Sequence, residues 1–181
     1  MRSAEPGRRA LLDAGRALLA TSDLSKLSVN SITATANMAK GSFYQHWPSR
    51  DDYILALHRA FHDHLFERVR DRIADHRPGA ERLATGIQVY LDGCLAEPAT
   101  KALLVQARTE AALGDEVAQR NRQAAGVIAE DLAAIGWTDP EPVAALLVAA
   151  VAETALMELA DRSPRPDLRD ALLRLAAPPR D

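Results

Sequence analysis

Aromatic side chains are scarce in this sequence: two Trp, three Tyr and three Phe make up 4% of its 181 residues. Packing must therefore rest on Ala, Leu and Val, and a pocket of stacked rings for a large flat molecule is disfavoured. Cysteine occurs once, at Cys94. That excludes an internal disulfide and a cysteine metal cluster, and it fits a reducing cytoplasm. The longest apolar run, Val143 to Ala152, has ten residues, whereas a bilayer span takes roughly 20. The charged N-terminus holds no continuous apolar stretch of the signal-peptide kind. Strictly alternating segments, a phosphate-binding loop and a nucleophile–base pairing are all missing, so no strands, catalytic residues, cofactor or membrane partner are expected.

What is present is helical and unevenly charged. Net charge is −3 overall, yet residues 1–50 carry seven Lys/Arg against three acids, a net of +4, and the remaining residues a net of −7. A basic end on an acidic body points to a polyanion partner for that end alone. Apolar spacing of three and four predicts helices over about Arg8 to Ala20, Val29 to Ala36, Lys40 to His46, Arg50 to Asp75, Ala80 to Leu95, Ala99 to Glu110, 114–135, Pro140 to Asp161 and Asp167 to Ala176. Ser28 is the expected N-cap of the second helix, Asn37 the left-handed turn residue after it, and Ser49 with Asp52 the capping box of the fourth. The expected fold is all-α: a three-helix head over residues 1–50, packed on the start of helix four, and a helical body over 51–181.

Leu27 to Arg50 reads as helix, tight turn and second helix, the last crowding Lys40, Ser42, Tyr44, Gln45 and His46 into two turns. Such a unit can place a polar helix in the major groove of DNA. The order Leu27-Ser28-Val29, Ile32, Ala36, Met38, Gly41-Ser42-Phe43-Tyr44, His46-Trp47, Ser49-Arg50 resembles the DNA-binding head of TetR-family transcriptional regulators over roughly residues 8–57. The resemblance implies phosphate contacts from Tyr44 and Arg50 and a donor at Ser28. It also implies base-facing positions at Lys40, Gly41, Ser42, Gln45 and His46, with Asn30 reaching the groove from the preceding helix. Gln can pair bidentately with adenine, Lys can donate to guanine, and Gly lets the backbone come close. Three departures stand out. Asn37 replaces the usual turn Gly, Ala39 the usual Ser/Thr cap at a cost of about 1 kcal/mol of local helix stability, and Trp47 the usual Phe.

The resemblance further implies a cytoplasmic homodimer, nucleoid-associated when bound to a palindromic operator, acting as a repressor released by a small-molecule effector. Helix eight, apolar nearly all round, would supply the dimer face through Val143, Leu146, Leu147, Ala150, Val151, Thr154 and Met157. Phe61, Tyr90, Cys94, Gln106, Arg108 and Asn121 are the candidate effector pocket, with Gln106 and Arg108 equally readable as surface. Cys94 also reads as a small buried hydrophobe. His58 and His62 lie one helical turn apart and could share a metal, but His64 is displaced by roughly 200° from His62 at about 100° per residue. A solvated or hydrogen-bonded set is the favoured reading, and no metal site is expected.

Overall fold

The computed structural model describes residues 5–97, 99–106 and 113–178. Among them there is no strand, and the chain is all-α. The helices are α1 (Glu5–Leu19), α2 (Val29–Thr35), α3 (Lys40–Tyr44), α4 (Arg50–Ile73), α5 (Ala80–Ala96), α6 (Thr100–Gln106), α7 (Gly114–Ala134), α8 (Pro140–Asp161) and α9 (Pro166–Ala176). A 3-10 turn, Leu24–Lys26, precedes α2. Helix α1 starts before the expected Arg8, and α3 stops two residues before the expected His46.

The chain forms two compact units, one of residues 1–63 and 97–113, the other of residues 64–96 and 114–181. In the first, Leu11, Leu24, Leu27, Ile32, Phe43, Ile54 and Leu57 are buried, and α1 packs against α2 and α3. Tyr53 is fully buried among them and donates its hydroxyl proton to the Leu11 carbonyl at 2.7 Å. Gly15 makes this possible. A methyl group on it would collide with the Tyr53 hydroxyl, so α1 and α4 meet here only because a side chain is missing. Burial pushes the Tyr53 phenol far above its ordinary range, by more than the Gly15 backbone and the Arg16 charge lower it.

The second unit is built on α8, which packs against α5, α7 and α9. By length and composition α8 is apolar enough to cross a membrane. It nevertheless holds a fully buried carboxylate, Glu158, which accepts from Arg169 through Nε at 2.7 Å and Nη2 at 2.8 Å and from the Arg165 backbone N–H at 2.9 Å. Arg169 also donates to Asp92 at 2.6 Å, so one guanidinium joins α5, α8 and α9. A second lock lies at the other end of α5, where buried Asp131 accepts from Arg82 Nε at 2.6 Å and from the Gly79 N–H at 2.9 Å. Burial alone would raise the Glu158 carboxyl. The Arg169 hydrogen bonds, with those of Arg165, outweigh it and hold the group below the usual carboxylate range.

Candidate nucleic-acid interface

Local chemistry places α2 and α3. Ser28 caps α2 through a reciprocal box: the Ser31 N–H donates to the Ser28 hydroxyl oxygen at 3.0 Å, and the Ser28 N–H donates to Ser31 Oγ at 2.9 Å. The helix ends with Asn37 in the left-handed region, φ 52°, as the turn demanded. The Met38 N–H then returns to the Thr33 carbonyl at 2.9 Å and closes the turn. Ala39 begins α3 with no side-chain cap. Ser49 caps α4 as expected, the Asp52 N–H donating to Ser49 Oγ at 3.1 Å; the second bond of the pair runs from the Ser49 hydroxyl to Asp52 Oδ2 at 2.6 Å, side chain to side chain and not the reciprocal backbone bond of a capping box.

Helix α3 is too short to be stable by itself, and an aromatic cluster holds it. Phe43 is fully buried, with its ring 5.2 Å from Tyr53 and 5.6 Å from Trp47, and Trp47 meets Tyr53 edge-on at 4.9 Å. With Phe43 and Trp47 turned inward, the opposite side of the segment faces out. Lys40, Gly41, Tyr44 and Gln45 are exposed, in two i,i+4 pairs, and Tyr44 is 51% accessible. The space beside Gly41 is empty to 4 Å, so a partner's backbone could approach closely there. Asn30 and Ser28 are exposed on α2, whereas Ser42 and His46 are half-buried.

Arg50 departs from the phosphate-facing expectation. Its Nε donates to the Leu27 carbonyl at 2.7 Å, its Nη2 to the Leu24 carbonyl, and its Nη1 lies 3.8 Å from Asp51. The side chain ties the 3-10 turn, and with it the Ser28 cap, to the start of α4. The arrangement brings a residue from far away in sequence to the same neighbourhood. Arg8 of α1 lies over the Trp47 indole, its guanidinium carbon 5.5 Å from the ring centroid. No sequence signal marked this contact, because it joins residues 39 positions apart.

The other expected site residues are scattered. Phe61 is buried in the first unit; Tyr90 and Cys94, one turn apart on α5, belong to the second and share a hydrogen bond. Burial pushes the Cys94 thiol up to about 12. Asn121 is exposed on α7, and the Gln106 side chain and Arg108 lie outside the described residues. His58 and His62 are buried, not solvated, with rings 4.3 Å apart, and Phe61 stands edge-on to His62. His64 is exposed. Among the described residues no group of three or more His, Cys, Asp or Glu could hold a metal. On α8, Leu147, Val151 and Thr154 are buried within the chain, Val143 and Ala150 are half-buried, and Leu146 and Met157 are 72% and 44% exposed.

Residues 11–57 match the family model described as bacterial regulatory proteins, tetR family. No curated protein matches the chain. Among solved structures, a TetR-like transcriptional regulator from Rhodococcus sp. RHA1 superposes with a TM-score of 0.78 at 22% identity, over 94% of this chain and 93% of that one. A second Rhodococcus sp. Rha1 transcriptional regulator gives 0.75 at 23% identity, over 96% and 94%. The reduced form of E. coli NemR gives 0.75 at 18% identity, over 94% and 95%. At these identities the likeness is one of fold.

Proposed function

Because its head and its fold are those of a TetR-family transcriptional regulator, we propose that this chain is a repressor that binds a palindromic operator as a homodimer and releases it on binding a small molecule. The observation that carries the reading is the outward face of α3. Lys40, Gly41, Tyr44 and Gln45 are exposed together, on a helix pinned from behind by Phe43 and Trp47. Gln45 and Lys40 have the chemistry to read base edges, and Tyr44 to bond a phosphate. Asn30 and Ser28, exposed on α2, are suited to the flanking groove and backbone. Arg50 acts by positioning, through the carbonyls it holds before α2.

Dimerisation is supported by α8. Only a third of its most apolar stretch is buried within its own chain. Leu146 and Met157, with the small Ala145, Ala149 and Ala160, leave an exposed face, apolar but for Glu153 at its centre, which a second copy would cover. Leu147, Val151 and Thr154 already serve the chain's own core. Effector release is supported by the continuity of α4, a single helix from Arg50, beside the head's capping contacts, to Ile73 in the second unit. A ligand that moved its far end would move the head, and linkage requires that DNA weaken that ligand's binding by the same factor.

Nuclease footprinting on the DNA flanking the chain's own gene tests the proposal. The expected result is a two-fold symmetric protected region whose half-sites lie about 34–36 Å, one helical turn, or a multiple of it apart. Protection of a single, unsymmetrical half-site at all protein concentrations would contradict the homodimer.

A further inference from the structure

We propose that Arg8 is a phosphate-binding residue of the DNA interface, with Trp47 as the platform that aims it; the inference rests on the DNA-binding reading above. The platform is rigid. Trp47 is 5% exposed and wedged against Phe43 at 5.6 Å and Tyr53 at 4.9 Å between ring centroids. Arg8 stands over its outer face at 5.5 Å. A guanidinium over a ring face is attracted by the ring's quadrupole without using up its N–H donors, which stay available for a bidentate contact to an oxyanion. Among the described residues, no hydrogen bond or ion pair uses those donors.

The position is also right. The same turn of α1 abuts the end of the groove-facing segment: a Cβ built on Gly7 would lie 3.4 Å from His46 Nε2 and 3.3 Å from Met38 Cε. Arg8 therefore flanks residues 44–47, immediately after the α3 face. The partner it fits there is a backbone phosphate beside the groove that α3 enters. Arg50 has Nε and Nη2 committed to the Leu27 and Leu24 carbonyls, so the cationic grip on this side falls to Arg8. A Trp at position 47 offers a larger and more electron-rich face than Phe, which links the sequence's departure from the family pattern to the arginine it supports.

The salt dependence of duplex binding tests this, measured for the wild type, Arg8→Ala, Arg8→Lys and Trp47→Phe, with helix content and Tm recorded for each. For Arg8→Ala the affinity should fall by the same factor on operator and random duplex. The slope of log affinity against log salt should fall by about 0.9 per protomer, the value for one phosphate contact. Arg8→Lys and Trp47→Phe keep the charge and should keep the slope. An unchanged slope for Arg8→Ala would overturn the inference, including the case in which affinity falls with Tm because the residue merely packs. If Lys40→Ala lowers the slope and Arg8→Ala does not, only this inference fails. If the wild type binds no duplex at low salt, the DNA-binding reading fails and this inference with it.

Discussion

The two units solve the problem of few aromatics in opposite ways. The head gathers Phe43, Trp47 and Tyr53 into a cluster that fixes a five-residue helix with no side-chain cap of its own, while Ser28 and Ser49 cap α2 and α4 on either side of it. The body is built from Ala, Leu and Val around α8 and takes its specificity from two buried carboxylates, Asp131 and Glu158, each clamped by an arginine. An aromatic cluster with caps gives precise placement of a few outward side chains. An apolar helix with charged clamps gives a stable body that keeps part of its apolar face exposed. The first arrangement suits the proposed reading of a polymer, the second the proposed association.

Breaking a clamp should have the largest effect. Glu158→Ala leaves Arg169 without its buried partner and should cost about 3–5 kcal/mol, read as loss of urea midpoint in the body. The pH dependence has a definite sign. The Glu158 carboxyl is held below its ordinary range, so its contribution is present above the unfolded carboxylate pKa and is lost as pH falls through the lower folded one. The wild type should lose stability on acidification through that window, and Glu158→Gln should be flatter there. The corresponding break in the head is Gly15→Ala, which drives a methyl into the Tyr53 hydroxyl. About 2–3 kcal/mol of destabilisation is expected, from overpacking and the lost bond to Leu11, measured by calorimetry.

Smaller changes sharpen the contrast. Gln45→Ala should leave stability untouched and relax preference at one or two base pairs by about 1–3 kcal/mol. Equal losses on specific and random duplexes would remove it from base reading. Arg50→Ala should lower thermal stability while leaving the salt slope of DNA binding unchanged, since its donors serve carbonyls; a lower slope would return it to the phosphates. The smallest effect is a gain: Ala39→Ser supplies the missing N-cap of α3 and should add about 1 kcal/mol to the head.

What could be read from the sequence follows the range of the forces involved. The Ser28 cap, the left-handed Asn37, the uncapped Ala39 and the Ser49–Asp52 pair are decided within four residues, and each was legible. Contacts across the chain were not. Arg50 looked free for phosphate because the carbonyls it holds lie 23 and 26 residues away, and Arg8 gave no sign of Trp47. An apolar pattern all round α8 hides which face is spent. Burial divides the expected dimer residues into an inner set, Leu147, Val151 and Thr154, and an outer one, Leu146 and Met157. The same blindness applies to the burial of His58 and His62, which removes the solvated alternative for that pair, and to Glu158, whose burial depends on an arginine eleven residues on.

The central claim is that the exposed face of α3 reads DNA sequence. A fluorescence-anisotropy titration of the full chain against DNA flanking its gene, at two salt concentrations and with random duplex as competitor, tests it most directly. The account predicts tight binding that survives competitor and weakens with salt. Equal, weak binding to both duplexes, or none at low salt, would contradict it.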